Sequence, residues 1–178
     1  MQSVAIATAI AVLLSGCSPD GKDAQLLEGV NIVDVESGEI IPDRDIFIAN
    51  GKITAIFPSG EEAGLPSRIT KVPLRGRYVL PGLVDMHVHV DHSNVPMVFP
   101  AYGVTTVLNM RGDMSHLELR DGIATDARWR SSFYTAADYM EGWPQDFSFT
   151  VGFDGVDDLS AAVKRRKSDG YDFLKIYK

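Results

Sequence analysis

The stretch Leu83-Val84-Asp85-Met86-His87-Val88-His89-Val90 decides how the rest of the chain is read. It is apolar except for Asp85, His87 and His89, which fall on alternate positions. In an extended strand such residues share one face, so the two imidazoles stand side by side. Neutral imidazole is a good ligand for zinc and similar divalent ions, and two rings fixed on one rigid strand lose little freedom on binding. On its own a His-x-His pair reads by default as two satisfied core or surface histidines. The surroundings favour ligands, because an apolar strand of this kind is expected to be buried on both faces, where unpaired imidazoles are costly. Asp85 lies on the same face one layer deeper, where it can bond an imidazole or line a floor.

On the carboxyl-terminal side of this strand the chain alternates between strand and helix patterns. Val95 to Tyr102 reads as a short helix despite Pro96 and Pro100, and Thr105 to Asn109 as a second strand. Ser115 to Trp129 has helical spacing, Ser132 to Ala136 reads as a third strand, and Tyr171 to Tyr177 as a fourth. Val156 to Lys167 is an amphipathic helix with Val156, Leu159, Ala162 and Val163 on one face and Asp157-Asp158 near its amino end. Such alternation predicts parallel βα units. The basic run Lys164-Arg165-Arg166-Lys167 suits the solvated last turn of that helix better than a nucleic-acid patch. Arg111-Gly112-Asp113 reads as a chance tripeptide in a loop.

On the amino-terminal side, Glu28 to Leu80 reads as short strands with turn punctuation, a small antiparallel β unit. Asn50-Gly51 joins Ile46-Phe47-Ile48 to Ile53-Thr54-Ala55-Ile56-Phe57 as a hairpin signal. Further back, Met1 to Gly16 carries no charged side chain and Val4 to Leu14 is nearly all apolar. That run is too short for a ~30 Å bilayer core and reads as a signal-peptide core followed by small residues. Leu14-Ser15-Gly16-Cys17 resembles the lipobox of bacterial lipoproteins, although no Lys or Arg precedes the apolar run. This resemblance implies lipidation of Cys17, an exported protein held to a bacterial membrane on the periplasmic side, and, with Ser18 following, the outer membrane. Cys17 is the only cysteine, so no intrachain disulfide is available.

The 178 residues are 45% hydrophobic and 23% charged, which excludes disordered, collagenous and polytopic membrane classes. With 17 Lys+Arg against 24 Asp+Glu the net charge is −7, and an acidic chain argues against a nucleic-acid partner.

Three motifs then combine. Tyr78-Val79-Leu80-Pro81-Gly82-Leu83-Val84-Asp85-Met86-His87-Val88-His89 resembles the opening motif of the metal-dependent amidohydrolase superfamily. Ala101-Tyr102-Gly103-Val104-Thr105-Thr106-Val107 is similar to that family's Gly-Val-Thr-Thr approach to strand two. Gly170-Tyr171-Asp172-Phe173-Leu174-Lys175-Ile176-Tyr177 resembles strand four of its imidazolonepropionase-like and Xaa-Pro dipeptidase-like branches. The implied fold is α/β: a small β-sandwich unit followed by the first part of an incomplete TIM-like (β/α)8 barrel. The chain divides accordingly into a signal peptide (1–16), a tether (17–27), the β-sandwich segment (28–80) and the partial barrel (81–178).

The resemblance implies that His87 and His89 hold a divalent metal and that Lys175, carboxylated on its amine, bridges it to a second. Two zinc ions are the default cofactor, with manganese, iron or cobalt also compatible. Together, the resemblance implies, they would generate hydroxide from water near neutral pH for attack on a polarised carbonyl. Lys178 is the rival lysine but falls on the opposite strand face. His92 and Asp91, just past strand one, are candidates to face substrate at the barrel mouth. Arg111 is a candidate for a substrate carboxylate, Tyr139 and Trp143 for a pocket wall or plain aromatic packing, and His116 reads as a surface residue.

A whole barrel takes roughly 250 residues, and the family's later histidines and its proton-shuttling aspartate have no place before Lys178. The expectation is therefore an amino-terminal fragment, inactive alone, of a hydrolase of amide, peptide or cyclic-amide C–N bonds. Its partners would be a small-molecule or dipeptide substrate and a membrane through the anchor at Cys17, with room for an oligomer. The alternative is a non-catalytic, exported, lipid-anchored binding or scaffold protein on the same fold.

Overall fold

The computed structural model describes residues 24–61, 64–91, 95–125, 131–146 and 150–177. The stretch expected as a signal peptide, Cys17, most of the stretch expected as a tether, His92 and Lys178 lie outside the described residues. Among those described, no helix is long and apolar enough to cross a membrane. The chain forms two compact units, the first ending at Pro81 and the second starting at Gly82.

The first unit is a five-stranded sheet built from β1 (Gln25–Val33), β2 (Ile40–Ala49), β3 (Lys52–Pro58), β4 (Thr70–Pro73) and β5 (Tyr78–Val79). Its order is β3-β2-β1, with β4 and β5 sharing the far edge of β1. Asn50 and Gly51 close the β2–β3 hairpin at φ 53° and 69°, the doubly left-handed turn that Asn-Gly favours because it matches strand twist. The sheet is mixed, which corrects the antiparallel expectation. β4 pairs in parallel with Gln25–Glu28, and β5 in parallel with Asn31 and Ile32. A chain that reaches β4 through residues 59–69 rather than through a tight hairpin can arrive running in the β1 direction.

One face of this sheet buries Ala24, Leu26, Phe47 and Ala49, with Ala55, Phe57, Leu65 and Ile69 packed against them. Asp45 is buried and accepts the backbone N–H groups of Gly29 at 2.7 Å and Gly60 at 3.1 Å.

The second unit contains the parallel strands β6 (Leu83–Val88), β7 (Val104–Asn109) and β8 (Ser132–Thr135) in that order, with α1 (Met114–Thr125) between β7 and β8. Val88, Val90, Val107 and Phe133 form its core, covered by Phe99, Val104, Leu119 and Ile123. The stretch expected as a short helix is two 3-10 turns, Val95–Met97 and Phe99–Tyr102. Pro96 and Pro100 withhold the N–H groups that an α-helical ladder needs there.

Past β8 the third strand breaks and resumes as β9 (Met140–Gly142), flanked in parallel by β10 (Val151–Phe153) and β11 (Ile176–Tyr177). The expected fourth strand is thus shorter in its ladder: β11 is two residues, preceded by one parallel bridge from Phe173 to Ala136. Between β10 and β11, α2 (Gly155–Asp169) carries Asp157 and Asp158 in its first turn and Arg166 and Lys167 in its last. Gly170 ends it in the left-handed conformation, its N–H turned to the carbonyls of Arg166 and Lys167, so the basic run is the end of a capped helix. Val156, expected on the apolar face, is 80% exposed in the first turn of α2.

Candidate active site

The site begins on β6. Its pairing to β7 steps from Asp85↔Val107 to Val88↔Asn109, so β6 carries one residue more than its partner between these points. The extra residue is a bulge, and Asp85 Oδ1 accepts the backbone N–H of His87 across it at 3.1 Å. Asp85 therefore bonds the backbone of His87 rather than an imidazole. The rings of His87 and His89 lie with centroids 5.3 Å apart and planes at 68°, side by side as alternate strand positions require.

The strand itself is more open than its composition suggested. Leu83, Val84, Met86, His87 and His89 are exposed and only Val88 is buried. The physical reason is its place at the sheet edge, where β7 is its sole strand neighbour among the described residues. Within the same set of residues the His87 ring makes no hydrogen bond, which leaves its lone pair available.

One further strand brings a group to the imidazoles, and a second runs beside it. Tyr139, just ahead of β9, places its hydroxyl 3.4 Å from His89 Nε2, with the rings edge to face. Tyr139 also stacks on Tyr177, centroids 5.8 Å apart. Lys175 precedes β11, and its carbonyl accepts the N–H of Met140 at 3.0 Å. Because Ile176 registers with Met140 and Tyr177 with Glu141, Lys175 and Tyr177 share their strand face with Tyr139 and Glu141. Lys175 is half-buried, and its ammonium makes no ion pair among the described residues. His89, Asp91, Arg111, Asp113, His116 and Asp138 line one polar cleft beside this face. Trp143 is 63% exposed.

Several working residues were not foreseen. Asn109 is fully buried at the end of β7, where its Oδ1 accepts Val90 N–H at 3.0 Å and its Nδ2 donates to Arg111 O and Thr135 Oγ1. Asp172 accepts Thr135 N–H at 2.9 Å and pairs with Arg120 at 3.1 Å, tying β8 to the approach to β11. Glu141 is buried beside Thr150, whose hydroxyl donates to Glu141 Oε2 at 2.7 Å. His116, expected at the surface, is 18% exposed in its side chain and has both ring nitrogens engaged. The usable signal was the polar end of each strand pattern, Asn109 and Thr135, where a ladder stops and buried backbone groups need side-chain partners.

Among the described residues no three His, Cys, Asp or Glu side chains converge as a metal cage. What the chain brings together is a pair of imidazoles, a phenol against one of them, and a lysine on the adjoining ladder.

The parallel strands of β6–β8 and β9–β11, which follow a small mixed β unit and carry His-x-His on the first, form an α/β fold that matches part of the fold of solved amidohydrolase and prolidase structures. No family model matches the sequence. It is 33% identical over 84 residues to adenine deaminase 2 of Bradyrhizobium sp. (strain ORS 278), a stretch that is 47% of this chain and 14% of that protein. Bottromycin amidohydrolase superposes on 90% of this chain and 34% of its own at TM-score 0.71 and 23% identity. A prolidase complexed with N-methylphosphonate-L-proline superposes on 86% of this chain and 46% of its own at TM-score 0.65 and 18% identity. The chain thus spans a small part of its curated relative and less than half of each of these structures.

Proposed function

We propose that this chain contributes the first part of a metal-dependent hydrolase of carbon–nitrogen bonds in amides, dipeptides or cyclic amides. The observation that carries the reading is the pair of adjacent imidazoles, His87 and His89, on the strand after Pro81-Gly82, joined through Tyr139 to the ladder that bears Lys175. The relatives by name remove an amino group from adenine or cleave at proline, and both are hydrolyses of C–N bonds.

The donor set fits a divalent cation. Two neutral imidazoles are ligands suited to zinc, and a lysine amine converted to a carbamate would add an anionic oxygen donor. His87, His89 and the carboxylated Lys175 would hold the ion. When bound, it would lower the pKa of a water and polarise the scissile carbonyl. The chain's own residues do the rest of what falls to this part: the β6 bulge aims the imidazoles, Tyr139 buttresses His89, and the cleft around Arg111 receives polar parts of a substrate.

Export and lipid attachment at Cys17 are part of the same proposal and rest on the sequence of residues 1–17. The test uses the complete gene product. Divalent metal bound to the purified protein, and lost on His87→Ala together with hydrolysis of a dipeptide or cyclic-amide panel, supports the reading. A protein that hydrolyses such substrates equally well after His87→Ala and chelation contradicts it.

A further inference from the structure

Val90 follows His89 directly, lies beyond the last rung of the β6 ladder and is 3% exposed. Its peptide groups are therefore buried without strand partners, a situation that demands other bonds. Both are supplied by side chains from different elements. Asn109 Oδ1, at the end of β7, accepts the Val90 N–H at 3.0 Å, and His116 Nε2, in the first turn of α1, lies 2.8 Å from the Val90 carbonyl.

The tautomer of His116 follows from its partners. A carbonyl only accepts, so Nε2 carries the proton and donates to Val90. Nδ1 faces two groups of Asp113: the backbone N–H at 3.1 Å, which it meets as an acceptor in the neutral ring, and the carboxylate Oδ1 at 2.9 Å, to which it donates when the ring is doubly protonated, so the bond to Val90 is kept in both forms. Asp113 in turn caps α1, its Oδ1 accepting the N–H of Ser115 at 2.9 Å. With Nδ1 accepting, this is a reciprocal cap in which an imidazole three residues on takes the place of the usual Glu or Gln. The ring also stacks on Phe133 at 6.4 Å and 15°. His116 thus locks the start of α1 to the segment leaving β6, and Asn109 locks that segment to β7 and β8.

We infer that Asn109 and His116 are positioning residues for His89: they clamp the peptide group after it and thereby fix the direction of its ring. The inference rests on the proposed metal site only for its consequence, since the clamp acts on the imidazole whether or not an ion is bound. The test compares the full chain with His116→Phe, which keeps the stacking but not the donor, His116→Gln, which keeps a donor, and Asn109→Asp, which keeps the acceptor toward Val90. Two readouts are taken: the ring-to-ring nuclear Overhauser contact of His89 with Tyr139 in metal-free protein, and zinc affinity by competition with a chromophoric chelator.

His116→Phe is expected to abolish the His89–Tyr139 contact and weaken zinc binding about 10- to 100-fold. His116→Gln is expected to restore the contact and bring affinity back to within about threefold, and Asn109→Asp to preserve the contact. A folded His116→Phe protein with the contact intact overturns the inference. If His116→Phe does not fold, loss of the contact in His116→Gln and Asn109→Asp alike overturns it. Loss of the contact in His116→Phe, in a complete gene product whose wild type binds no zinc, upholds the clamp and defeats the metal-hydrolase reading.

Discussion

The carbonyl oxygen of Lys175 accepts the backbone N–H of Met140 at 3.0 Å, and that bond sets which face of the final ladder the lysine shares with Tyr139. Through Tyr139 the face continues to His89 Nε2. Three separated stretches of chain thereby converge without any of the three residues being close in sequence. If Lys175 serves as a carbamate ligand, Lys175→Ala in the complete gene product should reduce bound zinc and lower kcat/KM by roughly a thousandfold or more, as loss of a metal-organising group does. Metal analysis and steady-state kinetics check this, and bicarbonate should not rescue the variant. Unchanged metal content would remove Lys175 from the ligand set.

Acid should loosen the start of α1 late. The Ser115 hydroxyl and the His116 ring, with a lesser part from the Ser115 N–H, hold the Asp113 carboxyl at about 2, below its ordinary value of 3.8, against the opposing effect of burial. A carboxylate depressed in the folded state contributes stability that is present above its unfolded pKa and is lost as pH falls through the folded one. The affected window is therefore pH 4 down to pH 2. Asp113→Asn should flatten the fall of stability with acid across that window, measured by urea denaturation at stepped pH, while leaving the slope above pH 5 unchanged. Because Asp113 is mostly exposed, solvent screening keeps the amplitude small.

The legible parts of this molecule were those in which one residue type has one physical use. Asn50-Gly51 announced its hairpin because only such a pair tolerates two left-handed residues in succession. His87 and His89 announced a shared face because strand alternation admits no other outcome, and the alternation of β6, β7, α1 and β8 followed from periodicity alone. What stayed hidden depends on tertiary arrangement. Nothing in Met140-Glu141-Gly142 says that the third strand resumes after a break, and nothing in Val151-Gly152-Phe153 says that it adds a rung beside it. His116 looked like a surface residue because its two partners, Val90 and Asp113, come from a different strand end and from its own helix cap. The exposure of β6 was missed because burial of a strand is decided by neighbours on both of its edges.

Gly112 sits in the Arg-Gly-Asp tripeptide for a packing reason. A methyl group built on it would overlap Thr135 Oγ1 and the carbonyl of Ala136, both parts of the tightly bonded end of β8. Gly112→Ala should destabilise the second unit by about 1–3 kcal/mol, the range of an overpacked core position. Thermal and urea unfolding check the size. Gly122→Ala on α1 has open space around its added methyl and should be neutral or stabilising by up to about 1 kcal/mol, as Gly-to-Ala changes in helices are. Equal effects at both sites would mean that the approach of Gly112 to β8 does not constrain the fold.

The buried carboxylate of Asp45 gives the sharpest stability test in the first unit. Burial pushes its pKa up, yet the N–H groups of Gly29 and Gly60, the Ser59 hydroxyl and the charge of Arg75 together outweigh that, so the net shift is downward. Gly29 needs its place for a second reason: its φ of 70° favours glycine, and an added methyl would press on the Arg75 backbone. Removing the carboxylate by Asp45→Ala takes the acceptor away from the Gly29 and Gly60 N–H groups, each costing about 1–3 kcal/mol if left unsatisfied. The variant should therefore lose several kcal/mol, of the same order as the whole stability of a small unit, roughly 5–15 kcal/mol. Asp45→Asn retains one acceptor oxygen and should lose distinctly less. Its residual stability should also fall less steeply than wild type as pH drops below the unfolded carboxylate pKa, because the wild-type carboxylate surrenders its contribution there while the amide has none to surrender. Chemical denaturation of the two variants at pH 7 and at pH 3 separates these outcomes. An Asp45→Ala protein as stable as wild type would show that water replaces the carboxylate at Gly29 and Gly60 without loss.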